Sequence, residues 1–143
     1  MLRRNWQPGD RVQLDLPMPV RRVSCHPYVM NNEGRVALMR GPLVYCVEQV
    51  DQPQAMVQDL ALPPHVPLGA EWAPDLLGGV CTVQGQAVAL PPGNLWSDRL
   101  YRAERTETRW GRKQAVHLVA IPYYAWANRT PGAMRVWLRT APA

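Results

Sequence analysis

A chain of 143 residues has room for one core and a piece of a neighbour, which excludes two independent large domains. Its apolar share is 47%, yet no apolar run nears the roughly 18–20 residues of a membrane helix, and the N-terminus lacks the about 7–15 apolar residues of a secretory signal. A cytoplasmic protein without a membrane partner is expected, and the formal charge of +5 does not imply a nucleic-acid partner, because 15 of the 16 basic residues are arginines scattered along the chain.

Fifteen prolines punctuate the sequence, and proline removes a backbone donor and blocks helix interiors, so long helices are excluded. Gln7-Pro8-Gly9-Asp10 has turn chemistry. Residues 11–16 then alternate, which predicts a strand with Val12, Leu14 and Leu16 on one face, ended by Pro17. Asn31-Asn32-Glu33-Gly34 reads as a turn before the strand of residues 35–39. The apolar run Leu43-Val44-Tyr45-Cys46-Val47 follows Arg40-Gly41-Pro42 and predicts a strand buried on both faces.

Residues 52–74 hold five prolines and little periodicity, which predicts an extended surface loop or a wandering edge segment. Residues 80–83 and 87–90 flank Gly85 and predict a hairpin with that glycine at its tip. A second hairpin is expected from residues 101–110 and the turn Gly111-Arg112-Lys113. Residues 116–121 and 134–138 are the last strand candidates. The expected fold is all-β with little helix: an antiparallel, jelly-roll-like β-sandwich of about eight short strands.

No constellation marks a catalytic or metal centre. The cysteines Cys25, Cys46 and Cys81 are odd in number, widely spaced and without a CxxC pair, and read as buried thiols. His26 beside Cys25 cannot make a four-ligand site alone. His65 lies in the proline-rich stretch, and His117 falls in a predicted strand as a hydrogen-bonded face residue. Among the carboxylates, Asp10, Asp15, Glu48, Asp98, Glu104 and Glu107 form no pair of the kind glycosidic cleavage uses, and no Ser, His and Asp arrangement stands out.

Asn128-Arg129-Thr130 matches the N-glycosylation pattern but is read as a loop. With 6 Trp, 5 Tyr and no Phe, the aromatics carry the one candidate binding surface. Tyr123, Tyr124 and Trp126 cluster in one loop, where flat rings suit a sugar face and Asn128 and Arg129 supply hydrogen bonds. The plainer alternative packs this loop across the end of the fold or against another domain.

Three segments, in order, resemble the C-terminal region of glycoside hydrolase family 127, the bacterial β-L-arabinofuranosidase-like hydrolases. They are Arg4-Asn5-Trp6-Gln7-Pro8-Gly9-Asp10 leading into Leu16-Pro17-Met18, residues 34–48 (GRVALMRGPLVYCVE) and residues 121–138 (IPYYAWANRTPGAMRVWL). The resemblance implies an N-terminal (α/α)6 barrel, outside this chain, that carries a zinc site of Glu and Cys ligands. It therefore implies no catalytic residue, metal ligand or cofactor here, and neither Cys46 nor Glu48 is read as the zinc thiolate or the acid.

Residues 1–30 then hold strand material of a preceding sandwich and residues 31–143 the C-terminal sandwich. The implied partners are the catalytic barrel of the same enzyme, a second copy covering the edge of residues 12–16, and an L-arabinose-containing glycan.

Overall fold

The computed structural model describes residues 3–92, 100–101 and 111–141. Its described residues form nine strands: β1 (Val20–Val23), β2 (Arg35–Arg40), β3 (Leu43–Glu48), β4 (Leu60–Leu62), β5 (Leu68–Ala73), β6 (Val80–Ala89), β7 (Gln114–Pro122), β8 (Met134–Arg135) and β9 (Leu138–Thr140). Helix is confined among them to 3-10 turns of three residues, such as Tyr123–Ala125. The molecule is all-β with little helix, as the proline content requires.

β2 and β3 form a tight hairpin in which Arg40 lies opposite Leu43. Gly41 takes φ +55° at the corner, a left-handed conformation that glycine adopts without a Cβ penalty and that suits the strand twist. The strands run in the order β2, β9, β4, β6, β7, β3, and β3 pairs back onto β2, so the sheet closes on itself. β1 and β5 extend it from β2 and β6, and β8 lies on β3. Closure leaves fewer open edges. It also surrounds the core of Leu38, Tyr45, Val47, Leu60, Leu62, Val83, Leu118 and Leu138. Tyr45 buries its ring there and donates its hydroxyl to the Cys81 carbonyl at 2.9 Å, satisfying the polar tip.

Four expectations change. Residues 11–16 form no strand, and Val12, Leu14 and Leu16 are exposed, because no described strand lies beside them to supply a ladder. Residues 52–74 are not a surface loop throughout, and the edge-segment alternative holds only for β5, which pairs with β6 alone. They contain β4, whose three residues are all buried, and β5, and β4 runs parallel to β9; a short, fully buried strand has no alternation to read. Residues 134–138 split into β8 and β9, which serve different neighbours, β3 for the first and β2 with β4 for the second.

The fourth change concerns Gly85, which lies mid-strand. β6 is continuous, with Gly85 facing Leu68 of β5 and Leu118 of β7. A Cβ at that position would stand 2.7 Å from Leu68 Cδ2 and 2.8 Å from the Pro67 carbonyl oxygen. The glycine permits a close approach of chains rather than a turn. The hairpin expected over residues 101–110 falls, beyond Tyr101, outside the described residues.

Gly85→Ala forces backbone to move and should destabilise the domain by about 1–3 kcal/mol. Urea denaturation of the variant beside the unsubstituted chain measures the loss.

Candidate functional site

β3 is buried over four consecutive residues, from Tyr45 to Glu48, because Tyr45 and Val47 enter the main core while Cys46 packs into a second cluster with Val80, Ile121 and Ala125. Its last residue is therefore an anion in an apolar setting, only 6% exposed. A carboxylate placed there costs several kcal/mol unless partners meet it. They come from the loop that follows β7. Glu48 Oε1 accepts the Ala127 backbone N–H at 3.2 Å. Its Oε2 accepts Arg129 Nε at 3.2 Å and Nη2 at 2.5 Å.

The same guanidinium reaches a second carboxylate. Asp51, in the 3-10 turn Gln49–Asp51 just past β3, accepts Nη1 at 2.7 Å and Nη2 at 2.5 Å. Its hydrogen bonds to Asp51, and then those to Glu48, push the Arg129 pKa up against the pull of burial. The planar fork suits this double engagement, because it offers donors toward both anions at once.

Pinned in this way, the loop presents its aromatics outward. Tyr123 and Trp126 stack with ring centroids 5.7 Å apart and planes 19° from parallel. Tyr123, Tyr124 and Trp126 are 44%, 67% and 40% exposed. Asn128 Nδ2 donates to the carbonyls of Ala125 and Trp126 at 3.1 and 3.2 Å, closing the loop on itself. The structure thus gathers all five candidate residues into one loop. It stacks two rings, leaves Tyr124 open, and engages Asn128 and Arg129 internally.

Other candidates sit apart. Cys46 is buried in β3, and burial, reinforced by Glu48, pushes its thiol up to about 12. Cys25 and Cys81 are half-buried, and all three thiols are free. His26 packs edge-on against Tyr28 in a turn. His117 lies on the open face of β7, its Nε2 3.0 Å from Gln84 Oε1. Asp10 accepts Arg4 Nη2 at 2.9 Å near the N-terminus. Asp98, Glu104 and Glu107 lie outside the described residues. Among the described residues, no group of three or more His, Cys, Asp or Glu side chains is placed to hold a metal, and no helix is long and apolar enough to cross a membrane.

Sequence reasoning missed the joining of Glu48 and Asp51 through Arg129. The partners are 81 and 78 residues apart, beyond any local pattern. The signal was a glutamate closing an apolar run, which demands a distant cation.

Residues 20–139 match the family model described as the glycoside hydrolase family 127 C-terminal domain. The chain belongs to glycoside hydrolase family 127. The match begins at β1 and ends within β9. A non-reducing end β-L-arabinofuranosidase of Bifidobacterium longum subsp. longum is 42% identical over 137 residues, which are 92% of this chain and 20% of that enzyme. The crystal structure of a family 127 β-L-arabinofuranosidase from Geobacillus stearothermophilus T6 superposes with a TM-score of 0.72 at 43% identity, covering 87% of this chain and 19% of that one. A further family 127 β-arabinofuranosidase gives a TM-score of 0.72 at 34% identity over 87% of this chain and 17% of its own. The chain spans a fifth or less of the length of these relatives.

Arg129→Ala strands a buried carboxylate, and the expected loss is about 3 kcal/mol of stability. Arg129→Lys keeps the charge but not the fork and should lose roughly half as much. Equilibrium unfolding in urea separates the two.

The Cys46 thiol ordinarily loses its proton near 9.0 but in the fold holds it to about 12. Between those values the folded chain binds more protons than the unfolded one, so stability falls as pH rises. Cys46→Ala should flatten the fall between pH 9 and pH 10, as read from melting temperature against pH.

Proposed function

We propose that this chain is a non-catalytic C-terminal domain of a β-L-arabinofuranosidase-type glycoside hydrolase, whose work is to buttress the (α/α)6 catalytic barrel of the same enzyme. The observation that carries this reading is the internal engagement of the groups that could otherwise do chemistry. Glu48 and Asp51 are held by Arg129, and the Cys46 thiol is buried and firmly protonated. A general acid or a nucleophile needs access to substrate and a pKa matched to its task.

The zinc that the family implies does not fit these residues either. A thiolate ligand must lose its proton, which the surroundings of Cys46 oppose, and the two oxygens of Glu48 already accept protein donors. No step through a metal is therefore assigned to this chain.

The exposed rings of Tyr123, Tyr124 and Trp126 form, in this reading, the face that meets the barrel. Apolar surface held in one rigid geometry is how a domain interface is prepared. Residues 12–16, alternating and uncovered, belong with the preceding sandwich, and a second copy of the chain is the other surface able to cover them. The setting is cytoplasmic.

The parallel Tyr123–Trp126 stack supports a second reading, a carbohydrate-binding module. Such a platform would take the apolar face of an arabinose-containing glycan. One experiment separates the readings: hydrolysis of a chromogenic β-L-arabinofuranoside by the purified chain, with and without zinc, beside a titration with arabinose oligosaccharides. No hydrolysis and no binding is the expected result. Binding without hydrolysis would favour the module, and hydrolysis would overturn both readings.

A further inference from the structure

A second concave surface lies beside the aromatic loop. It is a wide, open groove of about 640 Å³. Asn31 and Asn32, in the 3-10 turn before β2, line it, and Arg35 opens β2 beside them in sequence. Arg135 at the end of β8, Trp137 between β8 and β9, and Tyr123 from the loop complete the lining used below. Among the described residues, no acidic side chain lines the groove.

We propose that this groove binds a carboxylate-bearing saccharide, with Arg35 and Arg135 holding the carboxylate and Trp137 and Tyr123 packing on the sugar ring. The proposal goes beyond the buttressing role and shares only Tyr123 with the face assigned to it, while Arg35, Arg135 and Trp137 belong to the groove alone.

The arginines supply the first argument. Two other half-buried arginines are fully engaged: Arg129 holds two carboxylates, and Arg22 donates to the carbonyls of Pro63 and Val66 at 2.6 Å and also to that of Pro64. Among the described residues, Arg35 and Arg135 have no ion pair or side-chain hydrogen bond. Both are half-buried, where a charge interacts more strongly than in open water.

The ladder adds to this. Arg35 lies directly opposite Arg139 across β2 and β9, and like charges in that relation destabilise a sheet. Burial first, and then Arg35 and Arg135, lower the Arg139 pKa, while Asp59 alone opposes them. Arg35 and Arg135 thus both bear on the same neighbouring guanidinium, and an anion in the groove would offset that repulsion.

The remaining wall chemistry selects the kind of anion. Two asparagine amides offer donors and acceptors for hydroxyl groups, and the indole and phenol rings offer flat apolar faces. A bare inorganic anion would use neither. A sugar acid uses both, and its planar carboxylate matches the guanidinium forks.

The test is calorimetric titration of the intact chain with trigalacturonate and with its methyl ester, which keeps the rings and removes the charge. Trigalacturonate should bind, and the ester should bind at least about tenfold more weakly. Arg35→Gln and Arg135→Gln should each weaken trigalacturonate by about tenfold or more, with the melting temperature held or raised because a repelling charge is gone. Arg21→Gln, exposed on β1 away from the groove, should leave binding unchanged.

Equal binding of acid and ester, no binding at all, or loss in Arg21→Gln equal to that in Arg35→Gln would overturn the proposal. So would sulfate displacing the trisaccharide at equal concentration, or a single-stranded oligonucleotide binding more tightly than the sugar. Neutral arabinose oligosaccharides report on the aromatic platform and the Arg35 and Arg135 variants on the groove, so either site can fail while the other stands.

Discussion

A carboxylate at the end of a strand buried on both faces has to be met by a cation, and in this fold the cation arrives from a loop some eighty residues away. Arg129 answers Glu48 and Asp51 together, and that pairing sets the course of the C-terminal chain. Once the loop after β7 is fixed against the end of β3, β8 can pair with β3, with Met134 opposite Glu48 itself. Two residues later β9 reaches β2 and β4 and closes the sheet. The backbone bears part of the cost. Ala127 takes φ +64°, a left-handed conformation disfavoured for any residue with a Cβ, while its N–H is delivered to Glu48.

The strands that could be read from sequence are those whose pattern is local. β2, β3 and β7 carry runs of branched and aromatic residues bounded by Gly, Pro or Asn, and the Gly41-Pro42 corner announces itself. What escaped was decided by neighbours far along the chain. β4 is three residues among prolines, and only its burial between β6 and β9 makes it a strand. Gly85 carries the same letter whether it turns a hairpin or admits Pro67 and Leu68 at close range, and only the tertiary contact chooses. Residues 12–16 show the reverse case. Their alternation is strong, yet a strand exists only when something pairs with it.

The aromatic loop divides in the same manner. Its rings were legible because Tyr and Trp concentrated between two strand candidates are conspicuous in a chain with no Phe. Its polar residues were legible by type and not by engagement. Asn128 and Arg129 carry suitable donors for a sugar, but the fold turns those donors inward, to the loop's own carbonyls, to the end of β3 and to the 3-10 turn that follows it. A donor's type is fixed by composition, whereas its availability depends on whether a buried acceptor elsewhere has a stronger demand. Glu48 and Asp51 have that demand.

The preference for arginine over lysine acquires a structural meaning from these contacts. Arg22 spreads its donors over three carbonyls of one bend, and Arg129 divides its fork between two carboxylates. An ammonium is a compact point charge and could not hold several acceptors at these separations in fixed planes. Where the guanidinium has protein acceptors it locks loops to strands. Where Arg35 and Arg135 lack them, the same planar donors face an open groove. Tyr123 connects the two situations, since it lines that groove and stacks on Trp126 in the loop that Arg129 holds. The ion pair that stabilises the C-terminal chain therefore also sets the position of one wall of the groove.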